Sequence, residues 1–123
     1  MLYAILCYHA EDVVCAWSRE QEAEVMDRLA AVQARLAREG RLGPVARLLP
    51  TTAAATLRSD HEKGLVIDGP FAETKEQLLG FYLVDCATLD EALGIARELG
   101  AANPGGAHEV RPVALFRPGT AAT

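Results

Sequence analysis

Cysteine is scarce in this chain of 123 residues, and the three present, Cys7, Cys15 and Cys86, form no CxxC pair. That removes the usual zinc-ribbon spacing, and an odd count leaves one thiol outside any disulfide. Free thiols in a reducing cytoplasm are the simplest account. Basic residues are outnumbered, 12 Lys and Arg against 17 Asp and Glu for a net charge of −5. No Lys/Arg run is interleaved with aromatics, so nucleic acid is not expected as a partner. No apolar run approaches the roughly 20 residues of a membrane span. The N-terminus opens on a strand pattern without a basic region, so neither a signal peptide nor a membrane location is expected, and the protein is read as cytoplasmic. There is no Gly-rich phosphate loop, since Gly105-Gly106 precedes a strand and not a helix. Cys7 and His9 share a strand face, but no third ligand stands at a familiar spacing. No cofactor or metal is expected.

What is present is the composition of one globular domain. Half of the residues are hydrophobic and 24% are charged. Area scaling has a chain of this size remove roughly two-thirds of its unfolded surface from water, enough for a core without staples. The reading is a single domain over residues 1–117, with a frayed tail over 118–123.

Leu2 to Tyr8 is a nearly unbroken apolar run, the pattern of a central strand. Tyr3, Ile5, Cys7 and His9 share one of its faces. Ser18 opens a long helix, with Gln21 completing a capping box and acidic residues at the positive end of the dipole. Val25, Leu29, Val32 and Leu36 form its apolar stripe, and Gly40 stops it. A strand interrupted by Gly43-Pro44 follows, then a hairpin of 55–58 and 63–67. Leu79 to Cys86 is a second strong strand. Thr88 starts a helix with a buried stripe of Leu89, Ala92, Leu93, Ala96 and Leu99, ended by Gly100. The last strand spans 107–116. Two helix-and-strand halves of this kind predict an α+β, ferredoxin-like βαββαβ sandwich with an inserted hairpin. The helices cover one sheet face. The other, expected to carry Ile5, Tyr82 or Val84, and Val113, would then need a second subunit over it.

The most specific stretch joins the hairpin to the second strong strand: Asp68-Gly69-Pro70-Phe71-Ala72-Glu73-Thr74-Lys75-Glu76, running on to Gly80-Phe81-Tyr82. Four charged side chains fall within nine residues, beside a stiff turn that ends in a large aromatic. Together with Leu89-Asp90-Glu91-Ala92 and Glu109-Val110-Arg111-Pro112-Val113, this order resembles the DGPF branch of the YCII-related family. The resemblance implies a ferredoxin-like fold and a homodimer of the dimeric α/β-barrel type. It implies a small molecule bound in a cleft near Asp68, and acid–base work by a paired His and Asp. It also implies an alternative, a non-catalytic regulatory module associated with extracytoplasmic-function sigma factors. The first helix holds no histidine where the family dyad draws its own, and that departure favours the alternative.

The residues themselves leave several readings open. Asp68 can accept N–H bonds from its own turn, or take and orient a proton in a cleft. His9, at a strand end where loops gather, is its best available partner; it can equally be a strand-end residue without a role. His61 and His108 read as solvent-facing. Gly69, Pro70 and Phe71 would shape a ligand site, with Phe71 a packing or dimer contact as its other reading. Lys75 is a candidate ligand contact or one half of a solvated ion pair with Glu73. Arg111, on the same strand face as Glu109, suggests anion binding or an interface pair. Cys7 and Cys86 both read as buried strand residues and not as nucleophiles.

Overall fold

The computed structural model describes residues 1–60 and 64–121, so His61 lies outside the described residues. The main sheet has four strands: β1 (Leu2–His9), β2 (Leu42–Arg47), β5 (Gln77–Asp85) and β6 (Ala107–Pro112). Their order is β2-β5-β1-β6 and every pairing is antiparallel, the strand arrangement of a ferredoxin-like α+β fold. The central place expected for the first strand is therefore the one observed. A separate two-stranded sheet, β3 (Ala55–Arg58) with β4 (Leu65–Asp68), is the inserted hairpin.

Among the described residues there are three α-helices, α1 (Glu11–Cys15), α2 (Arg19–Arg38) and α3 (Leu89–Ala102), and a short 3-10 turn at Thr51–Ala53. The capping box of α2 forms as the sequence indicates, with Gln21 N–H donating to Ser18 Oγ at 3.1 Å and Ser18 N–H to Gln21 Oε1 at 2.9 Å. Thr88 caps α3 by accepting from Glu91 N–H at 3.2 Å. The short α1 has no side-chain cap at Ala10 and no buried residue, so it left no pattern to read.

The core lies between the sheet and the two long helices. Val25, Leu29 and Leu36 of α2 and Ala92, Ile95, Ala96, Leu99 and Ala102 of α3 pack on Tyr3, Ile5, Tyr82 and Val84. This corrects the expectation for the sheet faces. Ile5 and Val84 are fully buried and Tyr82 nearly so, beneath the helices and not on the open side. The uncovered face carries the alternate positions, where Ala4 pairs with Leu83 and Leu6 with Phe81, all half-buried.

Smaller differences have local causes. Helix α3 runs to Ala102, past Gly100, because Gly100 continues the helix where the His108 ring packs, with Cε1 3.6 Å from the position of an added Cβ. Leu89, in its first turn, is exposed, and Ile95 takes a core position instead. Strand β6 ends at Pro112, although Val113 N–H still donates to Leu2 O at 2.9 Å.

Candidate functional site

One row of residues crosses all four strands of the sheet on its helix side. Arg47 of β2 pairs with Gly80 of β5, Gly80 with Cys7 of β1, and Cys7 with His108 of β6. The neighbouring row, Val45, Tyr82, Ile5 and Val110, fills its space with large side chains. At Gly80 and Cys7 there is little side chain to fill it. Gly80 is required here by close approach, since a Cβ would lie 2.4 Å from Ala46 O and 3.2 Å from Arg47 Cα.

This row lines a cavity of about 180 Å³ under α2. Met26, Leu29 and Gln33 reach it from successive turns of α2, Trp17 and Val14 from the α1 side, and Leu99 and Asn103 from α3 and its end. Its walls are mostly apolar, with Cys7, Gln33, Arg47, Tyr82, Asn103 and His108 as the polar groups, the usual make-up of a small-molecule site. Gln33 Nε2 donates to Tyr82 Oη at 3.3 Å, fixing the phenol against α2. A second, outer cavity of about 510 Å³ shares Val14, Trp17, Arg47 and Leu79 with the first and adds Glu11, Cys15, Glu22 and the segment Leu48–Pro50.

Apart from Arg47, the titratable groups on the chamber wall are neutral near pH 7. Burial pushes the Cys7 thiol up to about 11. Burial also raises Tyr82, against the opposing hydrogen bond from Gln33. His108 is lowered, first by burial and then by the neighbouring His9, so its ring is neutral. Its expected solvent-facing position is corrected: it is half-buried against α3.

His9 is buried, 8% exposed, with its ring edge-on to Trp17 at 6.0 Å between centroids. Its Nε2 lies 3.2 Å from Pro104 O. A carbonyl only accepts, so Nε2 is the donor in this contact. Nδ1 of His9 and Oδ1 of Asn103 are buried without a hydrogen-bond partner among the described residues. The loop Asn103–Gly106 closes over His9, and the two glycines let it approach.

The hairpin residues lie elsewhere. Asp68 ends β4 and is exposed, and it lines neither cavity. Gly69 has φ +107°, and its N–H donates to Ala54 O at 2.7 Å, tying the turn to the start of β3. Pro70 is half-buried, while Phe71 is 75% exposed with the Arg58 guanidinium 5.3 Å above its ring. Lys75 is exposed. Arg111 is exposed on the open sheet face, with Nε 3.7 Å from Glu109 Oε2. The contacts of His9 come from Pro104, Trp17 and Gly105, none of them on the hairpin.

Trp17, Gln33, Arg47, Tyr82 and Asn103 were not anticipated as site residues. The one available signal was Gly80, a glycine inside a strong strand pattern, which marks a close approach or a gap. Among the described residues, no group of His, Cys, Asp and Glu is arranged to hold a metal ion. Nor is any described helix long and apolar enough to cross a membrane.

Comparison with known proteins gives the chain its relatives. It is 63% identical over 120 residues to a protein of Rhizobium meliloti (strain 1021) described as uncharacterized, with 97% of each chain covered. The model of the YCII-related domain matches residues 1–117, nearly the whole length. With the βαββαβ strand order already in view, the chain belongs to the YCII-related family.

Proposed function

We propose that this YCII-related protein binds a small, mainly apolar molecule in the chamber beneath α2. The observation that carries the reading is the row Arg47, Gly80, Cys7 and His108, paired across four strands, all of which line a cavity of about 180 Å³. A cavity of about 150 Å³ is enough for a benzene-sized ring. Apolar walls supply the driving force, and Tyr82, Gln33 and His108 supply orientation. Around Cys7, Tyr82 and His108 the wall is neutral, which favours an uncharged group against them. Acid–base work by Asp68 and His9 draws no support from this arrangement, because one carboxylate is exposed on the hairpin and the imidazole is buried under another loop. Titration with benzyl alcohol, followed by the emission of Trp17, tests the reading. A saturable response that is lost when Cys7→Leu fills the chamber is expected. No saturable response in the unaltered protein would refute it.

A second reading concerns contact with another protein, and it belongs to the DGPF-type resemblance of the Asp68–Phe71 turn. Leu57, Val66 and Phe71 of the hairpin region are 61%, 68% and 75% exposed, and an isolated two-stranded hairpin is marginal in water. A second copy of the chain covering this hairpin and the Leu6–Phe81 face is the occupant favoured here, as in a dimeric α/β barrel. A sigma-factor system partner is the regulatory alternative. Sedimentation at micromolar concentration is expected to give a dimer; a stable 13.2 kDa monomer would remove that reading.

A further inference from the structure

Resting on the chamber reading, we propose that the ligand is a small apolar carboxylic acid, its hydrocarbon part in the inner chamber and its carboxylate on Arg47 at the mouth. Arg47 ends β2 directly opposite Gly80, and it lines both the inner and the outer cavity. Among the described residues it is the only Lys or Arg on either wall. A head group attached to anything seated over Gly80 therefore meets the guanidinium as it leaves the chamber.

The mouth sets one arginine against two carboxylates, so its capacity for an anion rests on the donors of Arg47 that those carboxylates leave free. Glu11, on the outer wall, has both oxygens engaged by Thr51, one by its N–H at 2.6 Å and one by its hydroxyl at 2.5 Å. Glu22 lines only the outer cavity, and its Oε1 is 3.2 Å from Arg47 Nη2. Both of those side chains are about half exposed, and an ion pair of that kind contributes little. The other contact of the guanidinium is from Nη1 to Met26 Sδ at 3.4 Å, and a thioether is a weak acceptor. Arginine carries five N–H donors in a fork that fits a carboxylate. One is spent on a carboxylate oxygen and one on sulfur, which leaves capacity for a second anion. Glu22 is on the exposed surface of α2 and can turn to water when a tethered carboxylate arrives. An ammonium head seated on Arg47 would meet a like charge, and an amide would present one neutral acceptor in place of a two-oxygen carboxylate.

Trp17 is the single tryptophan and lines both cavities, so its emission, excited near the red edge, reports occupancy. The probes are 3-phenylpropionate, its primary amide and 3-phenylpropylamine, titrated at neutral pH and low salt. The proteins are the unaltered chain, Arg47→Gln and Glu22→Gln, each checked by a melting curve. The acid is expected to bind at least about tenfold more tightly than the amide, the gain of a charge-assisted hydrogen bond. Arg47→Gln should bring the acid to the level of the amide and leave the amide unchanged. Glu22→Gln, which frees the guanidinium, should tighten the acid further and covers the case of an Arg47 variant that does not fold. Equal affinity for acid and amide, or a preference for the amine, overturns the role of Arg47 and leaves the chamber reading standing. Binding by none of the three overturns both.

Discussion

Alanine placed at Gly69 and at Gly106 meets a similar backbone problem in two different surroundings. Both glycines have positive φ, +107° and +71°. An L side chain is strained there by about 1–2 kcal/mol. At Gly69 nothing lies within 4 Å of the new Cβ, so the backbone term is the whole cost. At Gly106 the Cβ would lie 2.0 Å from Tyr8 O and 3.1 Å from His9 Cα. Those are backbone atoms of the central strand, so the loop must move, and overpacking of this kind adds about 1–3 kcal/mol. Gly69→Ala should therefore cost about 1–2 kcal/mol and Gly106→Ala about 2–5. Denaturant unfolding of the two variants beside the parent measures the difference. A shift of about 1 kcal/mol moves the melting temperature of a domain this size by roughly 3–6 °C, so a thermal scan should rank them equally well. Equal losses, or a larger loss at Gly69, would refute the account of how the Asn103–Gly106 loop closes over β1.

Other outcomes follow from the same geometry. Brief alkylation by iodoacetamide at pH 8 should give one adduct, at exposed Cys15, since Cys86 is buried and Cys7 is held near 11; early labelling of Cys7 in the mass spectrum would contradict its desolvated state. His108 has its folded-state value lowered below 6.5, so the unfolded chain takes up its proton first as pH falls. That contribution is intact above about 6.5 and is lost below it, and His108→Gln should make the decline in stability between pH 7 and 5 shallower; an unchanged slope would mean that the ring is not desolvated. Asp68→Asn should leave stability within about 0.5 kcal/mol, because the carboxylate is exposed at the end of β4. A clear drop in its melting temperature would show that the turn depends on the charge.

Much of the fold was legible in the sequence because local chemistry specifies it. Ser18 with Gln21 and Thr88 with Glu91 mark helix starts through side-chain atoms that bond within the same turn. The 3.6-residue stripe Val25, Leu29 and Leu36 marks a buried helix face that the structure keeps. Alternation in β1 likewise grouped Tyr3, Ile5, Cys7 and His9 on one face. What alternation could not supply was the side on which the helices pack. Leu2, Ala4 and Leu6 on the opposite face are nearly as apolar, so periodicity alone is symmetric between the two. Packing broke that symmetry by burying Ile5, Tyr82 and Val84 and leaving Leu6 and Phe81 open. The candidate site depended on tertiary structure for a related reason. Arg47, Gly80, Cys7 and His108 are spread over about a hundred residues, and only antiparallel pairing in register sets them side by side. The charged turn at Asp68 stood out in the sequence because its residues are contiguous, whereas a chamber lined from four strands and three helices leaves in the sequence only the single glycine at position 80.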